Sequence, residues 1–386
     1  MSDLLVAGAG MAGLVAAAEA RRLGAAPAVY EKLDSPGGSM RLSSGVIWRH
    51  REYERFRSEC PTGDPSLQQV LFEELDEDLR WLESLGAPVV TRETGNPHTT
   101  GTRFDPAGLM EALVEAAGGV VGGVERAAAR APSAAFRRAR AESCPAGAPA
   151  GVHLASPLRE LPDRVPVILA TGGFAADRAL VREHVTAEAD HLLLRAAPGS
   201  TGDGLRLGVA AGAALGAGLD EVYARAMPAP PARVEPRDFV GLSQLYARHA
   251  EVTNERGERY ETVTWSEIDV AQWMARQPRA RAWFRVPRRA LDERVRDRTV
   301  REMVEAAASA GARVRREAEH VTVETVAGIT TTLGGLRIDT TTQAAPGVFA
   351  CGADAGGIAT GGYASGLAAA LVFGRRAARV ALGEAP

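Results

Sequence analysis

Three glycines mark the first place where this chain could do chemistry. Gly8, Gly10 and Gly13 keep the spacing G-x-G-x-x-G. They follow the apolar run Leu4 to Ala7 and precede LVAAAEARRLGA, a helical pattern closed by Gly24. A second apolar run, Pro27 to Tyr30, ends at Glu31. Strand, glycine turn, helix and strand together make a dinucleotide fingerprint. Gly8 permits the tight turn, and Gly10 lets the backbone approach a pyrophosphate. Gly13 and the alanines behind it let the helix lie close to the sheet, and Ala12, in the same turn, is a cofactor-binding candidate with the three glycines. The helix N-terminus offers unpaired N–H groups and a partial positive charge to phosphates. Glu31 stands where an acidic side chain accepts hydrogen bonds from a ribose. The fingerprint alone does not separate FAD from NAD.

Further segments hold small polar or glycine-rich chemistry. After Glu31 the chain reads EKLDSPGGSMRLSSG, a close backbone path with Ser39, Ser43 and Ser44 as donors and acceptors. VPVILATGGFAAD is an apolar strand ending at Thr171-Gly172-Gly173. STGDGLRLGVAAGAAL is a glycine-rich turn with Asp203 ahead of a small-residue helix. In QLYARHAEVTN, strand alternation puts Tyr246 and Arg248 on one face and His249 on the other. Arg248 fits an anionic substrate and Tyr246 a proton relay, so both are candidate catalytic residues.

These groups need elements to hold them. SLQQVLFEELDEDLRWLESLG places Leu67, Val70, Leu71, Leu75, Leu79 and Leu82 on one helix face. FDPAGLMEALVEAAGG is a second helix, with Asp105 as N-cap and Pro106 in the first turn. The run ARQPRARAWFRVPRRALDERVRDRTVREM reads as one long Arg-rich helix with i, i+4 ion pairs. Its acids offset its charge, so it does not read as a nucleic-acid site.

The charge is balanced, 45 basic against 48 acidic side chains. That argues against nucleic acid or an acidic membrane as partner. Lys32 is the only lysine. Cys60, Cys144 and Cys351 are scattered with no C-x-x-C pair, so neither a disulfide framework nor a metal site is expected, and the location expected is cytoplasmic. MSDLLVAGAGMAG does not read as a signal peptide, and no apolar run is long enough to span a membrane.

Taken in order, the fingerprint, the GG-x-x-x-x-S-x-G loop, ATGGF, TGDG and the closing TLGGLRIDTTTQAAPGVFACGADAGG resemble the fumarate reductase/succinate dehydrogenase flavoprotein superfamily. The resemblance runs from residue 4 to 380, and the stretch from about 118 to 160 is poorly covered and shortened. It implies an α/β fold: a discontinuous, Rossmann-like FAD-binding domain (1–225 and 325–386) with an inserted α+β cap domain (226–324). It implies non-covalent FAD, because relatives that attach it use a His where this chain has SMRLSSG. The nearest His, His50, is expected at the surface or behind the site. Glu31 would meet the adenosine ribose, with Lys32, Gly38, Ser39, Ser44, Gly45, Thr171 and Gly172 along the cofactor. Asp203 would lie near the isoalloxazine and Gly352 at the ribityl chain. The family usually has Glu after that glycine; this chain has Ala353, with Asp354 as the substitute. Ser365 is expected to cap the last helix, whose N–H groups around Leu367 would face the flavin pyrimidine edge.

The activity implied is hydride transfer between flavin and a C–C bond activated by a ketone or carboxylate, with an unidentified electron donor or acceptor. The chain departs from true fumarate reductases. Met227-Pro228 replaces their His-Pro, and Thr330 and Thr331 replace the His before T-x-GG. Trp265, Ser266 and Glu267 stand where an Arg proton donor is expected. GGYASGLAAALVFGRRA is closer to tricarballylate-dehydrogenase-like and ketosteroid-dehydrogenase-like proteins, and by that resemblance Tyr363 faces the substrate. A flavin monooxygenase or oxidase sharing the FAD domain, or a flavin-binding relative without catalysis, are the alternatives.

Overall fold

The computed structural model describes residues 2–121, 149–162 and 164–385. Cys144 and most of the Ala/Arg-rich stretch before residue 149 lie outside the described residues. A six-stranded sheet runs in the order Gln343–Ala345, Val348–Ala350, Val167–Leu169, Leu4–Ala7, Pro27–Tyr30, Gly151–His153. All neighbours are parallel except the first two strands. Leu4 to Ala7 are all buried. A parallel strand covered on both faces is apolar throughout rather than alternating, which is why this short run stood out.

The first helix, Met11–Arg22, packs on that sheet beside the last, Gly366–Ala381. They approach so closely that a Cβ at Gly374 would lie 2.7 Å from the Ala12 carbonyl oxygen. Both chain ends therefore build one layer. A buried ion cluster ties them to the long helix Pro65–Ser84. Arg375 pairs with Glu19 at 3.3 Å and with Asp78, and lies 4.6 Å from the Trp81 ring centre. Glu19 also binds Arg22 at 2.8 Å and Arg379 at 2.7 Å. Burial alone would raise the Glu19 pKa, yet these arginines hold it at about 2. For Asp78, burial outweighs Arg375 and raises the pKa to about 7.

A second, seven-stranded sheet is built on the long strand His320–Thr332. Val222–Pro228 pairs with it antiparallel, from Val222 opposite Thr332 to Pro228 opposite Thr325. The divisions expected at 225/226 and 324/325 fall inside this pair, so both strands run through the junction. Here the Arg-rich helix expected from sequence is corrected. Arg281–Pro287 is a strand flanked by short 3₁₀ turns, Arg294–Val295 and Arg298–Thr299 form a hairpin, and a regular α-helix starts only at Val300–Ser309. Ala282, Phe284 and Val286 are buried at a period of two, and prolines at 278 and 287 bound the strand. Thr299 and Glu302 close a capping box at the helix start.

A three-stranded sheet of Val46–His50, Thr99–Phe104 and Val89–Thr91 completes the wall. His50 is not at the surface: it is buried, stacked on Phe56 at 5.4 Å, with neither ring nitrogen hydrogen-bonded. Burial pulls its pKa down to about 4. No helix among the described residues is long and apolar enough to cross a membrane.

Candidate active site

The three sheets enclose one cavity of about 800 Å³. Ten of its lining positions are Gly8, Gly10, Ala12, Glu31, Lys32, Gly38, Ser39, Ser44, Thr171 and Gly172, all expected from sequence. Gly352, Ser365, Leu367, Asp203 and Tyr363 also line it.

The glycines divide by task. Gly10 starts the first helix at φ −74°, no side chain caps that helix, and a Cβ at Gly10 would meet nothing within 4 Å. Its open face is cavity. Gly13 does not line the cavity; a Cβ there would stand 1.9 Å from the Gly8 carbonyl oxygen, so it serves the close helix packing. Gly45 likewise faces protein: a Cβ would lie 2.0 Å from the Phe104 oxygen. The Glu31 carboxylate accepts from the backbone N–H of Ala9 at 2.8 Å and of Leu33 at 2.9 Å, which fixes the turn on which the helix begins. An uncapped helix end over open space, with an acid behind it, fits the diphosphate and ribose of FAD.

Beyond Gly13 and Gly45, two further cofactor assignments change. Asp203 pairs with Lys32 at 2.7 Å and so lies on the Glu31 stretch of wall, not on the stretch around Ser365. Asp354 does not line the cavity. Its buried carboxylate accepts from the Thr171 N–H, from Thr171 Oγ1 at 3.1 Å and from the Gly173 N–H at 3.0 Å. It clamps the C-terminal turn to the ATGG turn, buried behind the cavity wall with both oxygens engaged by protein.

Ser365 caps the last helix, its Oγ accepting from the Ala368 N–H at 3.2 Å. Tyr363 lies just before it, and its hydroxyl accepts from the Gly366 N–H at 3.3 Å. Tyr223 stacks on the Tyr363 ring at 4.1 Å, 16° from parallel. Arg225 Nε donates to the Tyr223 hydroxyl at 2.9 Å. Burial alone would raise the Tyr223 pKa; Arg225 and Arg195 outweigh it and bring it to about 8. Tyr363 moves upward, through burial and then the Tyr223 charge.

The other two catalytic candidates fall. Tyr246 is fully buried outside the cavity, donating to Gln244 Oε1 at 2.9 Å and packed edge-on against Phe284. Arg248 sits in a neighbouring pocket, donating to the Thr264 carbonyl at 3.0 Å. The alternation argument fails there because residues 247–249 form a 3₁₀ turn, not a strand. The same argument applies one strand earlier. In VYARAMP, Tyr223 and Arg225 share one face of Val222–Pro228, and both line the cavity. Arg195, Arg296 and Arg298, also lining it, carried no sequence signal.

The chain belongs to the FAD binding domain family, which matches residues 3–369. It is an FAD-dependent oxidoreductase. No curated protein matches it. Among solved structures it is similar to the open conformation of a flavocytochrome c3 fumarate reductase, at 19% identity and TM-score 0.70 over 98% of this chain and 78% of that one. It is similar to 3-ketosteroid-Δ4-(5α)-dehydrogenase from Rhodococcus jostii RHA1 in complex with 4-androstene-3,17-dione, at 20% identity and TM-score 0.66 over 99% and 97%. A third is 3-ketosteroid Δ1-dehydrogenase from Sterolibacterium denitrificans in complex with 1,4-androstadiene-3,17-dione, at 13% identity and TM-score 0.68 over 98% and 99%. At these identities the likeness is one of fold.

Proposed function

We propose that this oxidoreductase acts on a small molecule, at a C–C bond next to a ketone or carboxylate, with Tyr363 and Tyr223 handling the oxygen and proton of that group. The supporting observation is the stacked tyrosine pair in the cavity. Each hydroxyl oxygen already accepts a hydrogen bond, Tyr363 from the Gly366 N–H and Tyr223 from Arg225, so each O–H proton is free for a ligand oxygen. Two such donors favour negative charge on an oxygen conjugated to the reacting carbon. Bound FAD supplies the hydride chemistry. The helix end at Ser365 favours negative charge on whatever ring lies against it. Tyr223, kept acidic by Arg225, is the group suited to exchange a proton near neutral pH, and Tyr363 remains a neutral donor. Electrons reach or leave the site through a donor or acceptor that is part of the proposal. Buried, free Cys60 and Cys351 fit a reducing cytoplasm as its location.

The test is a photometric screen of acids and ketones against the FAD-loaded protein, in both redox directions. Tyr363→Phe should keep FAD bound and lower kcat/KM by about tenfold or more. Unchanged turnover in that variant removes Tyr363 from the chemistry. FAD that exchanges electrons with no member of either class overturns the proposal.

A further inference from the structure

Five arginines line the cavity: Arg103, Arg195, Arg225, Arg296 and Arg298. None forms an ion pair among the described residues. Four are pinned by protein oxygens, the first of them, Arg103, by the Ser44 carbonyl at 3.1 Å. Arg195 donates to Thr330 Oγ1 at 2.9 Å and to the Phe239 carbonyl at 3.4 Å. Arg225 holds the Tyr223 hydroxyl and the Ser266 carbonyl. Arg298 reaches the carbonyls of Gly241, Val240 and Ser243.

Arg296 is different. Among the described residues it makes no hydrogen bond, and its guanidinium rests 5.4 Å from the Trp265 ring centre while staying accessible. It sits on the turn of the hairpin between Val295 and Arg298, at φ +59°. A non-glycine residue pays strain in that conformation, and such strain is enriched at binding sites. Across the gap is Gly95 of the wall loop, where a Cβ would come 4.0 Å from Arg296 Cβ and Cγ.

A smaller pocket of about 240 Å³ shares Leu245, Ser266 and Arg296 with the main cavity, and Arg248, His249 and Arg294 line its other sides. Its one carboxylate, Glu267, is occupied by the N–H groups of Ala247 at 2.8 Å and Arg248 at 3.1 Å. In the main cavity Glu31, Glu93, Asp203 and Asp297 stand against Lys32 and the five arginines. The surplus positive charge is thus continuous from the outer pocket to the tyrosine pair, an arrangement that draws anions inward.

We infer that Arg296 takes a carboxylate of the substrate, so that the molecule turned over here is an organic anion and not a neutral ketone. The inference rests on the reaction class proposed above. A planar guanidinium matches a carboxylate with two parallel hydrogen bonds. A neutral ligand filling the same space would leave that guanidinium dry and unpaired, which is costly.

The test titrates FAD-loaded protein with malonate, and with malonamide as its uncharged counterpart, at constant ionic strength, following the visible flavin spectrum. Malonate should perturb the spectrum and malonamide should not. R296Q and R296G should weaken malonate by about tenfold or more while retaining FAD. R296G also removes the backbone strain, so its Tm should not fall below that of the unaltered protein, which separates lost binding from lost folding. Equal binding of malonamide, or undiminished malonate binding by R296G, overturns the inference. If a neutral ketone turns over equally in R296G and the parent, the anion reading fails and the reaction class stands. If malonate binds through Arg296 yet no acid or ketone exchanges electrons with FAD, the anion site stands and the reaction class fails.

Discussion

The Tyr223 hydroxyl should ionise near neutrality, and Arg225 is the reason. A free phenol has an ordinary pKa of 10, and Tyr223 is brought to about 8 although burial acts in the opposite sense. The difference corresponds to about 3 kcal/mol in favour of the phenolate. Arg225 supplies both a 2.9 Å hydrogen bond and the nearest charge, with Arg195 behind it. Replacing Arg225 with Met removes bond and charge together and leaves burial opposed mainly by Arg195. The Tyr223 pKa should then rise above its ordinary value. Ultraviolet difference titration of the FAD-loaded protein should find one tyrosine ionising near pH 8, absent in Tyr223→Phe and displaced upward in Arg225→Met. The pH–rate profile gives a second reading. Where Tyr223 accepts the proton, kcat/KM climbs as pH passes about 8; where it donates, kcat/KM declines over the same range. In both directions the limb moves up with Arg225→Met and vanishes with Tyr223→Phe. A parent protein with no tyrosine ionising below about 10, or a limb that survives Tyr223→Phe, refutes this assignment.

Two glycines of the fingerprint should separate cofactor binding from folding. Gly10→Val puts its side chain into open cavity at an ordinary φ, so the FAD-free protein should keep its stability within about 0.5 kcal/mol in urea denaturation while FAD affinity drops by about tenfold or more. Gly13→Ala drives a Cβ into the Gly8 carbonyl and should cost about 1–3 kcal/mol of stability before any cofactor is added. Arg375→Met leaves the Asp78 carboxylate buried without its partner and should cost about 3–5 kcal/mol by the same denaturation assay. Adding Asp78→Leu should recover most of that loss, because the uncompensated polar group goes with it.

The cofactor half of the molecule was legible because backbone geometry there dictates residue type. Gly8 and Gly172 adopt φ of 103° and 93°, which side-chain-bearing residues rarely reach, so these turns announce themselves in any reading of the chain. The helices capped by Asp105 and Ser365 were equally plain, since each cap accepts from N–H groups of its own first turn, and Pro65–Ser84 was plain from its apolar face. The Arg-rich run was harder. Arginine has good helix propensity, and a count of charges at i, i+4 outvoted the buried Ala282, Phe284 and Val286, whose period of two is the strand signal. Tertiary pairing with His320–Thr332 settles that segment, and no local pattern shows the partner.

The substrate-facing residues were hidden for a related reason. Asp354 looked like a ligand because it lies beside the glycine expected at the cofactor. Its neighbours Thr171 and Gly173, about 180 residues away, consume the carboxylate instead. Tyr223 and Tyr363 lie 140 positions apart and meet only because Val222–Pro228 pairs with the strand that leads into the C-terminal loop. A stacked tyrosine pair is therefore a consequence of register. Slipping that pairing by one residue would turn Tyr223 and Arg225 to the other face of the sheet together, since side chains alternate along a strand. The chemistry proposed for the pair thus depends on the contacts that lock this register: the parallel pairing of Leu193 and Leu194 onto Gly328 and Ile329, and the bulge between Ile329 and Thr331 that adjusts the strand beside Tyr223.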